Sequence, residues 1–152
     1  HLENDGSSKV LLIDESYNAN PASMTAAIKT LGQCENTEIG RKIAVLADMG
    51  ELGDQAEQLH RELGPALDEA DIDRLFVVGS FMKQLADFVV HNYPAINVNY
   101  FNDKKALERA LLHDIHDGDV IMIKGSNAAK MATTVEVLQK LDVYKDKQAV
   151  SR

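Results

Sequence analysis

The segment LLIDESYNANP, residues Leu11–Pro21, changes within eleven positions from an apolar run to a polar cluster. Its first residues are nearly all apolar and predict a short buried strand. Asn20 followed by Pro21 is a favoured helix start, because the Asn side chain accepts a hydrogen bond from the first turn and Pro needs no donor there. Residues 14–20 are therefore predicted to form a loop that joins a strand to a helix.

The same change from strand to helix recurs along the whole chain. Five apolar runs predict strands, at Val10–Ile13, Ile43–Ala47, Leu75–Val78, Val98–Phe101 and Val120–Ile123. Apolar residues spaced three and four apart predict the helices, with stripes at Met24, Ala27, Ile28 and Leu31; Leu59, Leu63, Ala66, Leu67 and Ala70; Met82, Leu85, Ala86 and Val89; Leu107, Ala110 and Leu111; and Met131, Val135 and Leu138. This alternation predicts an α/β fold, a three-layer Rossmann-like sandwich whose mostly parallel sheet has helices on both faces.

Length and composition limit the classes of protein to which the chain can belong. Its 152 residues are expected to form a single domain, residues 1–152, with frayed tails at 5–8 and 145–152. A net charge of −8 argues against general affinity for nucleic acid or anionic lipid, and no apolar run approaches the roughly 20 residues that span a bilayer. The single cysteine, Cys34, cannot form an internal disulfide, which favours a cytoplasmic location. The chain begins with His1 rather than Met, which suggests a fragment or a processed product.

Polar residues follow three of the predicted strands. Asp14 follows the first, Asp48 the second and Lys124 the last, and Gly50 and Gly53 form a turn before a helix expected to begin near residue 54. Ligands of open α/β sheets bind outside the carboxyl ends of the strands, so these strand ends are predicted to form one polar rim. The local alternatives are a capped turn at 14–20, a solvated strand terminus at Lys124 and an exposed loop charge at Glu51.

Three segments carry a resemblance to a known family. IDESYNANPASMTAAI, AVLADMGELGDQAEQLHRELG and VIMIKGSNAAKM, in this order and spacing, resemble the C-terminal domain of the Mur ligases over roughly Lys9 to Leu141. The string Tyr17–Pro21 is typical of the branch that adds D-alanyl-D-alanine, whereas sister ligases usually carry a histidine in this loop. Glu15 replaces an Asp that is common in the family.

This resemblance implies a three-domain, ATP-dependent ligase of bacterial peptidoglycan synthesis, whose N-terminal and central ATPase domains are absent from this chain. In the family, ATP phosphorylates the terminal carboxylate of UDP-N-acetylmuramoyl-tripeptide, and the amine of D-alanyl-D-alanine attacks the acyl phosphate. The phosphate loop G-x-x-x-x-G-K-[ST] belongs to the central domain and does not occur in this sequence. ATP and Mg²⁺ are thus expected to serve the full-length enzyme, with none bound tightly by this fragment, which is expected to be inactive. The resemblance also implies a first strand antiparallel to the rest.

The resemblance further implies roles for the rim, divided between a nucleotide side and an amino-substrate side. On the nucleotide side, Asp14 and Glu15 accept hydrogen bonds from the ribose hydroxyls or position the loop. Tyr17 packs on the base, and the side-chain amides of Asn18 and Asn20 bond to the adenine edge. Asn20 has a competing role as helix cap. On the side of D-alanyl-D-alanine, the expected residues are Lys124, Gly125 and Ser126, with Glu51 and His60 behind them. For His60, which lies beside an apolar stripe, the alternative is a bond to a neighbouring loop. No catalytic residue and no metal ligand is expected in this chain.

Two other classes of protein share the alternating pattern. A dinucleotide-dependent oxidoreductase requires G-x-G-x-x-G after an early strand, and residues 14–21 contain no glycine. A non-enzymatic, flavodoxin-like receiver or interaction domain would also place acidic residues and a Lys at this rim. The string Tyr17–Pro21, for which such a domain has no use, favours the ligase. The expected partners are the two substrates and the central ATPase domain, with no nucleic acid and no membrane insertion.

Overall fold

The computed structural model of the chain describes residues 10–34 and 40–140. Its strands are β1 (Leu11–Glu15), β2 (Lys42–Ala47), β3 (Arg74–Val78), β4 (Asn97–Phe101) and β5 (Val120–Lys124). Its helices are α1 (Pro21–Gln33), α2 (Ala56–Arg61), α3 (Gly64–Glu69), α4 (Met82–Asn92), α5 (Lys104–Asp114) and α6 (131–140). All five predicted strands are confirmed to within two residues at each end. The predicted tails at 5–8 and 145–152 lie outside the described residues.

The five strands form one parallel sheet in the order β1-β5-β2-β3-β4. Leu11 lies opposite Val120 and Glu15 opposite Lys124, so β1 runs parallel to β5 and the antiparallel first strand implied by the resemblance is wrong. The reason is the connection through α1, which returns the chain from the carboxyl end of β1 to the amino end of β2. Both strands must then point the same way.

Two apolar layers cover the sheet, as the three-layer prediction requires. Residues of α1, α3 and α4 pack on one face of β2 through Ala44 and Leu46, whereas α5 and α6 pack on the other through Ile43 and Val45. Right-handed crossovers place helices on opposite faces when the chain reverses its direction along a sheet, which it does after β4 to insert β5 between β1 and β2. The helices that follow β5 and β2 therefore lie on opposite faces of the sheet, an arrangement that forms a crevice at the carboxyl edge.

The apolar stripe from Leu59 to Ala70 is divided between two helices. A 3₁₀ turn at Gly53–Gln55 leads into α2, which ends at Arg61, and α3 begins at Gly64. Pro65 explains the break, because it has no amide hydrogen to donate to the carbonyl of the preceding turn. Within the described ranges, no helix is both long and apolar enough to cross a bilayer.

A network of charges closes the amino edge of the sheet, opposite the rim. The Asp119 carboxylate, 1% exposed, accepts hydrogen bonds from the Arg41 side chain, at 2.8 Å from Nη2, and from the His116 amide at 2.8 Å. Asp114 lies between Arg41 and Arg74 and is paired with both. Burial alone would raise the pKa of Asp119, but the bonds from Arg41 and His116 outweigh it and hold the pKa below its ordinary value of 3.8.

Candidate functional site

The polar strand ends do meet at one edge of the sheet, as predicted. β5 lies between β1 and β2, which places Lys124 beside Glu15 on one side and Leu46 on the other. The Ser126 amide donates to the Asp48 carbonyl at 3.0 Å, which joins the loops after β5 and β2. The rim is thus one continuous structure made from segments that are far apart in the sequence.

The loop after β1 is shaped by its own polar side chains. Asp14 Oδ1 accepts the Ser16 amide at 2.9 Å and also the Ser16 hydroxyl. Asn20 and Ser23 form a reciprocal capping box, in which Asn20 Oδ1 accepts the Ser23 amide at 2.9 Å and Ser23 Oγ accepts the Asn20 amide at 3.0 Å. The structural role considered for Asn20 is confirmed, and Asp14 has a role in holding the loop.

Tyr17 and Asn18 form the tip of this loop, and both are exposed. The Tyr17 side chain is 69% exposed, and its hydroxyl donates weakly to Glu15 Oε1 at 3.5 Å. Asn18 is also exposed, with its Oδ1 accepting the Ala19 amide at 2.9 Å. An aromatic face and an amide side by side can stack on a flat heterocycle and bond to its edge.

Lys124 is a buried anchor for the same loop. It is 2% exposed, and its Nζ donates to the Asn18 carbonyl at 2.7 Å and lies 3.7 Å from Glu15 Oε1 and 5.7 Å from the centre of the Tyr17 ring. The solvated strand terminus considered for Lys124 is therefore wrong, since a buried ammonium requires such partners. Direct contact with a substrate carboxylate remains a prediction, and it would require the ammonium to leave the Asn18 carbonyl.

Gly125 and Ser126 lie where the chain leaves β5. A side chain on Gly125 would come within 2.8 Å of Ala47 Cβ and 2.9 Å of Met131 Cγ, so glycine is required for β2 and α6 to approach this closely. Ser126 Oγ accepts the Ala129 amide at 3.3 Å and starts a 3₁₀ turn, Asn127–Ala129. The hydroxyl is half-buried at the rim.

His60 supports the loop after β2 from behind. It is fully buried: its Nε2 accepts the Met49 amide at 2.9 Å, its Nδ1 lies 2.6 Å from the Ala56 carbonyl, and its ring stacks on Phe81. Because an amide can only donate, the neutral ring must carry its proton on Nδ1. The alternative considered for His60, a bond to a neighbouring loop, is confirmed, and a direct substrate contact is not supported. Glu51 is exposed in that loop, with a φ of 58°.

A cleft of about 300 Å³ opens between the ends of β2, β3 and β5 and the start of α5. It is lined by Ala47, Asp48, Val78, Gly79, Lys104, Ser126, Ala128 and Ala129. Asp48 and Ser126 were predicted from the sequence to lie at the rim, whereas Gly79 and Lys104 were not. The signal available for Lys104 was its place three residues after the fourth strand, directly behind the helix cap Asp103.

Asp48, at the end of β2, joins the border of the cleft to the start of α4. Its carboxylate accepts the Met82 amide at 2.9 Å and the Phe81 amide at 3.2 Å, so it caps α4 from the end of β2. Gly79 has a φ of +118°, and a Cβ there would lie 2.3 Å from Asp48 Oδ1. The carboxylate charge is thus directed at the amino end of α4, where the helix dipole stabilises it.

Lys104 brings a positive charge to the other side of the cleft. Its Nζ donates to the Lys130 carbonyl at 2.9 Å and to the Thr133 hydroxyl, and it lies 4.0 Å from Glu108 Oε2. About a quarter of the side chain is exposed, 27%, in contrast to Lys124. Among residues 10–34 and 40–140, no three His, Cys, Asp or Glu side chains are grouped so as to hold a metal ion.

Comparisons with known proteins agree with the resemblance of the sequence segments. The family described as "Mur ligase, glutamate ligase domain" matches residues 3–127. The UDP-N-acetylmuramoyl-tripeptide--D-alanyl-D-alanine ligase of Escherichia coli (strain K12) is 38% identical over 132 residues, which cover 85% of this chain and 27% of that protein. The chain spans 27% of the length of the curated relatives it matches.

Solved structures agree in fold. MurF from Acinetobacter baumannii superposes with a TM-score of 0.75 at 30% identity, over 90% of this chain and 29% of that one. MurF ligase from Thermotoga maritima, solved in complex with ADP, superposes with a TM-score of 0.70 at 25% identity, over 90% of this chain and 30% of that one. The α/β architecture of this chain is therefore that of one part of a larger ligase.

Proposed function

The chain belongs to the Mur ligase family, and we propose that it is the C-terminal domain of an ATP-dependent ligase that adds D-alanyl-D-alanine to UDP-N-acetylmuramoyl-tripeptide. The observation that carries the proposal is the loop after β1, whose Tyr17 and Asn18 are exposed while Lys124 holds its backbone. This loop includes the string that distinguishes the D-alanyl-D-alanine branch from its sister ligases. The relatives that support the proposal are themselves named for this reaction.

The two sides of the rim bind different substrates, ATP on one side and the dipeptide on the other. Tyr17 stacks on the adenine of ATP and Asn18 bonds to its edge, while Asp14 and Glu15 hold the loop and lie near the ribose. Asn20 orients the loop as the cap of α1. Gly125 and Ser126 line the side of the incoming dipeptide, with Lys124 between the two halves, Glu51 in the loop after β2 and His60 on α2 behind that loop.

The reaction itself takes place largely on groups outside this chain. The triphosphate is assigned to the central ATPase domain, with Mg²⁺ beside it, because the phosphate loop G-x-x-x-x-G-K-[ST] of the family does not occur in this sequence. Phosphoryl transfer depends on positioning and on charge stabilisation at the phosphates. This domain orients the adenine base and the attacking amine. The isolated chain is accordingly expected to bind ATP weakly and to release no phosphate. The cytoplasmic location also remains a prediction.

The proposal is tested with the full-length ligase that carries this chain. Phosphate release should require ATP, the UDP-linked tripeptide and D-alanyl-D-alanine together, and Tyr17→Ala should raise the KM for ATP. Stacking of a base on an aromatic ring contributes on the order of 1–3 kcal/mol, so a rise of about fivefold or more is expected with a smaller change in kcat. Asn18→Ala should act in the same direction.

Val90→Ala, which removes another exposed large apolar side chain, from α4, is the control and should leave the KM for ATP unchanged. Phosphate release that depends on a different amino acceptor would reject the assignment to the D-alanyl-D-alanine branch. If Tyr17→Ala and Asn18→Ala both keep the wild-type KM for ATP, the nucleotide does not bind to this loop.

Lys124→Met is expected to affect the nucleotide side of the rim and the stability of the domain together. The substitution keeps much of the side-chain volume but leaves the Asn18 carbonyl without its charged partner, a loss commonly worth about 1.5–3 kcal/mol. The loop then loses its anchor, so the KM for ATP should rise and the melting temperature should fall. The KM for ATP, the KM for D-alanyl-D-alanine and the melting temperature, measured on the same sample, test this expectation.

Lys29→Met, which changes an exposed Lys on α1, provides the comparison and should alter neither quantity. If Lys124 instead binds the dipeptide directly, its substitution will raise the KM for D-alanyl-D-alanine about tenfold and leave that for ATP unaltered. The ratio of the two KM changes therefore separates an anchor from a ligand.

A further inference from the structure

We propose that Lys104 provides the positive charge that binds the carboxylate of the incoming dipeptide, in the cleft between the ends of β2, β3 and β5. The inference rests on the proposed function, since it identifies a binding residue for the second substrate of that reaction. Lys104 is the first residue of α5, a helix that contains none of the residues so far assigned to a substrate.

The charges around the cleft identify Lys104 as the available cation. Of the residues described around the cleft, Lys104 alone is positively charged. The one carboxylate there, Asp48, is already bonded to the Phe81 and Met82 amides at the start of α4. Lys124 is 2% exposed and donates to the Asn18 carbonyl, so its ammonium is directed away from a ligand in the cleft.

The ammonium of Lys104 is held in place but retains a free donor. An ammonium has three N–H groups, and the Lys130 carbonyl and the Thr133 hydroxyl accept two of them. Glu108 Oε2, at 4.0 Å, lies beyond hydrogen-bond distance, and it accepts the Thr134 hydroxyl at 2.6 Å. The third N–H of Lys104 can therefore donate to a ligand, and little side-chain freedom is lost on binding because two bonds already fix the group.

The walls of the cleft fit the rest of such a ligand. Apart from the charged groups, Ser126 and Gly79, the lining consists of small apolar side chains, those of Ala47, Val78, Ala128 and Ala129. A volume of about 300 Å³ is at the lower end for ligand pockets, so it suits a small molecule. One cation beside small apolar walls matches a molecule with one carboxylate and methyl side chains, which is the chemistry of D-alanyl-D-alanine.

The test uses the full-length ligase and compares D-alanyl-D-alanine with its C-terminal amide, which has the same shape and no negative charge. At saturating ATP and tripeptide, the wild-type enzyme should show a KM for the acid at least about tenfold lower than for the amide. In Lys104→Met this preference should fall to about twofold or less, through a rise in the KM for the acid. Lys104→Arg should keep most of the preference, because it keeps the charge.

Lys105→Met is the matched control, since it removes an exposed Lys from the next position of the same helix. It should keep the wild-type preference, and all variants should keep the wild-type KM for ATP. Lys104→Gln serves as the second neutral variant if Lys104→Met does not fold. A neutral variant that still prefers the acid as strongly as the wild type, or a wild type with no preference, would overturn the proposal. A wild type that joins neither dipeptide would instead reject the proposed function.

Discussion

Asp119→Ala is expected to lower the free energy of unfolding of this chain by about 2–4 kcal/mol, since it leaves the Arg41 and His116 amides without their acceptor and Arg41 with only Asp114 as its ion-pair partner. The carboxylate is 1% exposed and accepts from the Arg41 backbone amide, from Nε and Nη2 of the same residue, and from the His116 amide. Substitution by Ala removes the carboxylate that accepts all of these bonds at the amino ends of β2 and β5. Urea unfolding at neutral pH measures the loss.

Because of the same carboxylate, the free energy of unfolding of the chain should fall at acid pH. The pKa of Asp119 in the folded chain lies below its ordinary value of 3.8, so the unfolded chain binds the proton more readily. The stabilisation is therefore complete above the ordinary pKa and is lost as the pH falls through the folded pKa. The difference in stability between the wild type and Asp119→Asn should narrow below about pH 4.

Asp87→Asn is the control for both measurements. Asp87 is 63% exposed and forms an i,i+4 pair with Lys83 at 3.8 Å, so its substitution should cost no more than about 0.5 kcal/mol. An Asp119→Ala variant as stable as Asp87→Asn would show that the charge network at the amino edge does not stabilise the sheet. A difference that stays constant down to pH 2 would contradict the lowered pKa.

Gly79→Ala is expected to cost about 1.5–5 kcal/mol and to distort the cleft. A side chain at a φ of +118° is strained by about 1–3 kcal/mol in itself. The added Cβ would also lie 2.3 Å from Asp48 Oδ1, so the carboxylate must move and release the Phe81 and Met82 amides, at a further cost of about 0.5–2 kcal/mol for a lost helix cap. Urea unfolding gives the stability, and in the full-length ligase the KM for the dipeptide should rise as well.

Gly53→Ala separates backbone strain from the collision with Asp48. Gly53 also has a positive φ, +62°, but no atom lies within 4 Å of the position of its added Cβ. It should therefore lose only about 1 kcal/mol and leave the dipeptide KM unchanged. Equal losses in the two variants would mean that the contact between Gly79 and Asp48 has no part in the fold of the rim.

The local elements of this protein could be predicted from the sequence because their signals are local. The runs Ile43–Ala47 and Leu75–Val78 are apolar at successive positions, as strands buried on both faces require, and both are strands in the structure. The start of α1 was predicted from Asn20 and Pro21 because the capping bonds join residues only three apart. The one helix predicted around Leu59–Ala70 was wrong because apolar spacing continues through Pro65, whereas backbone hydrogen bonding does not.

The arrangement of the site was decided by the order of the strands. A solvated strand terminus was the alternative for Lys124 because nothing near it in the sequence can bury it; the Asn18 carbonyl that accepts its hydrogen bond is 106 residues away. Gly79 and Lys104 were missed for the same reason, since the cleft exists only where the ends of β2, β3 and β5 meet the start of α5. By itself the sequence determined the strands, most of the helices, the capped loop and the family resemblance, which depend on period, caps and short motifs. The tertiary structure decided that β5 enters between β1 and β2. This position of β5 determines which polar groups are buried and which face a ligand. The sequence alone could not show it, because side chains from distant segments come together only when the helices have packed on both faces of the sheet.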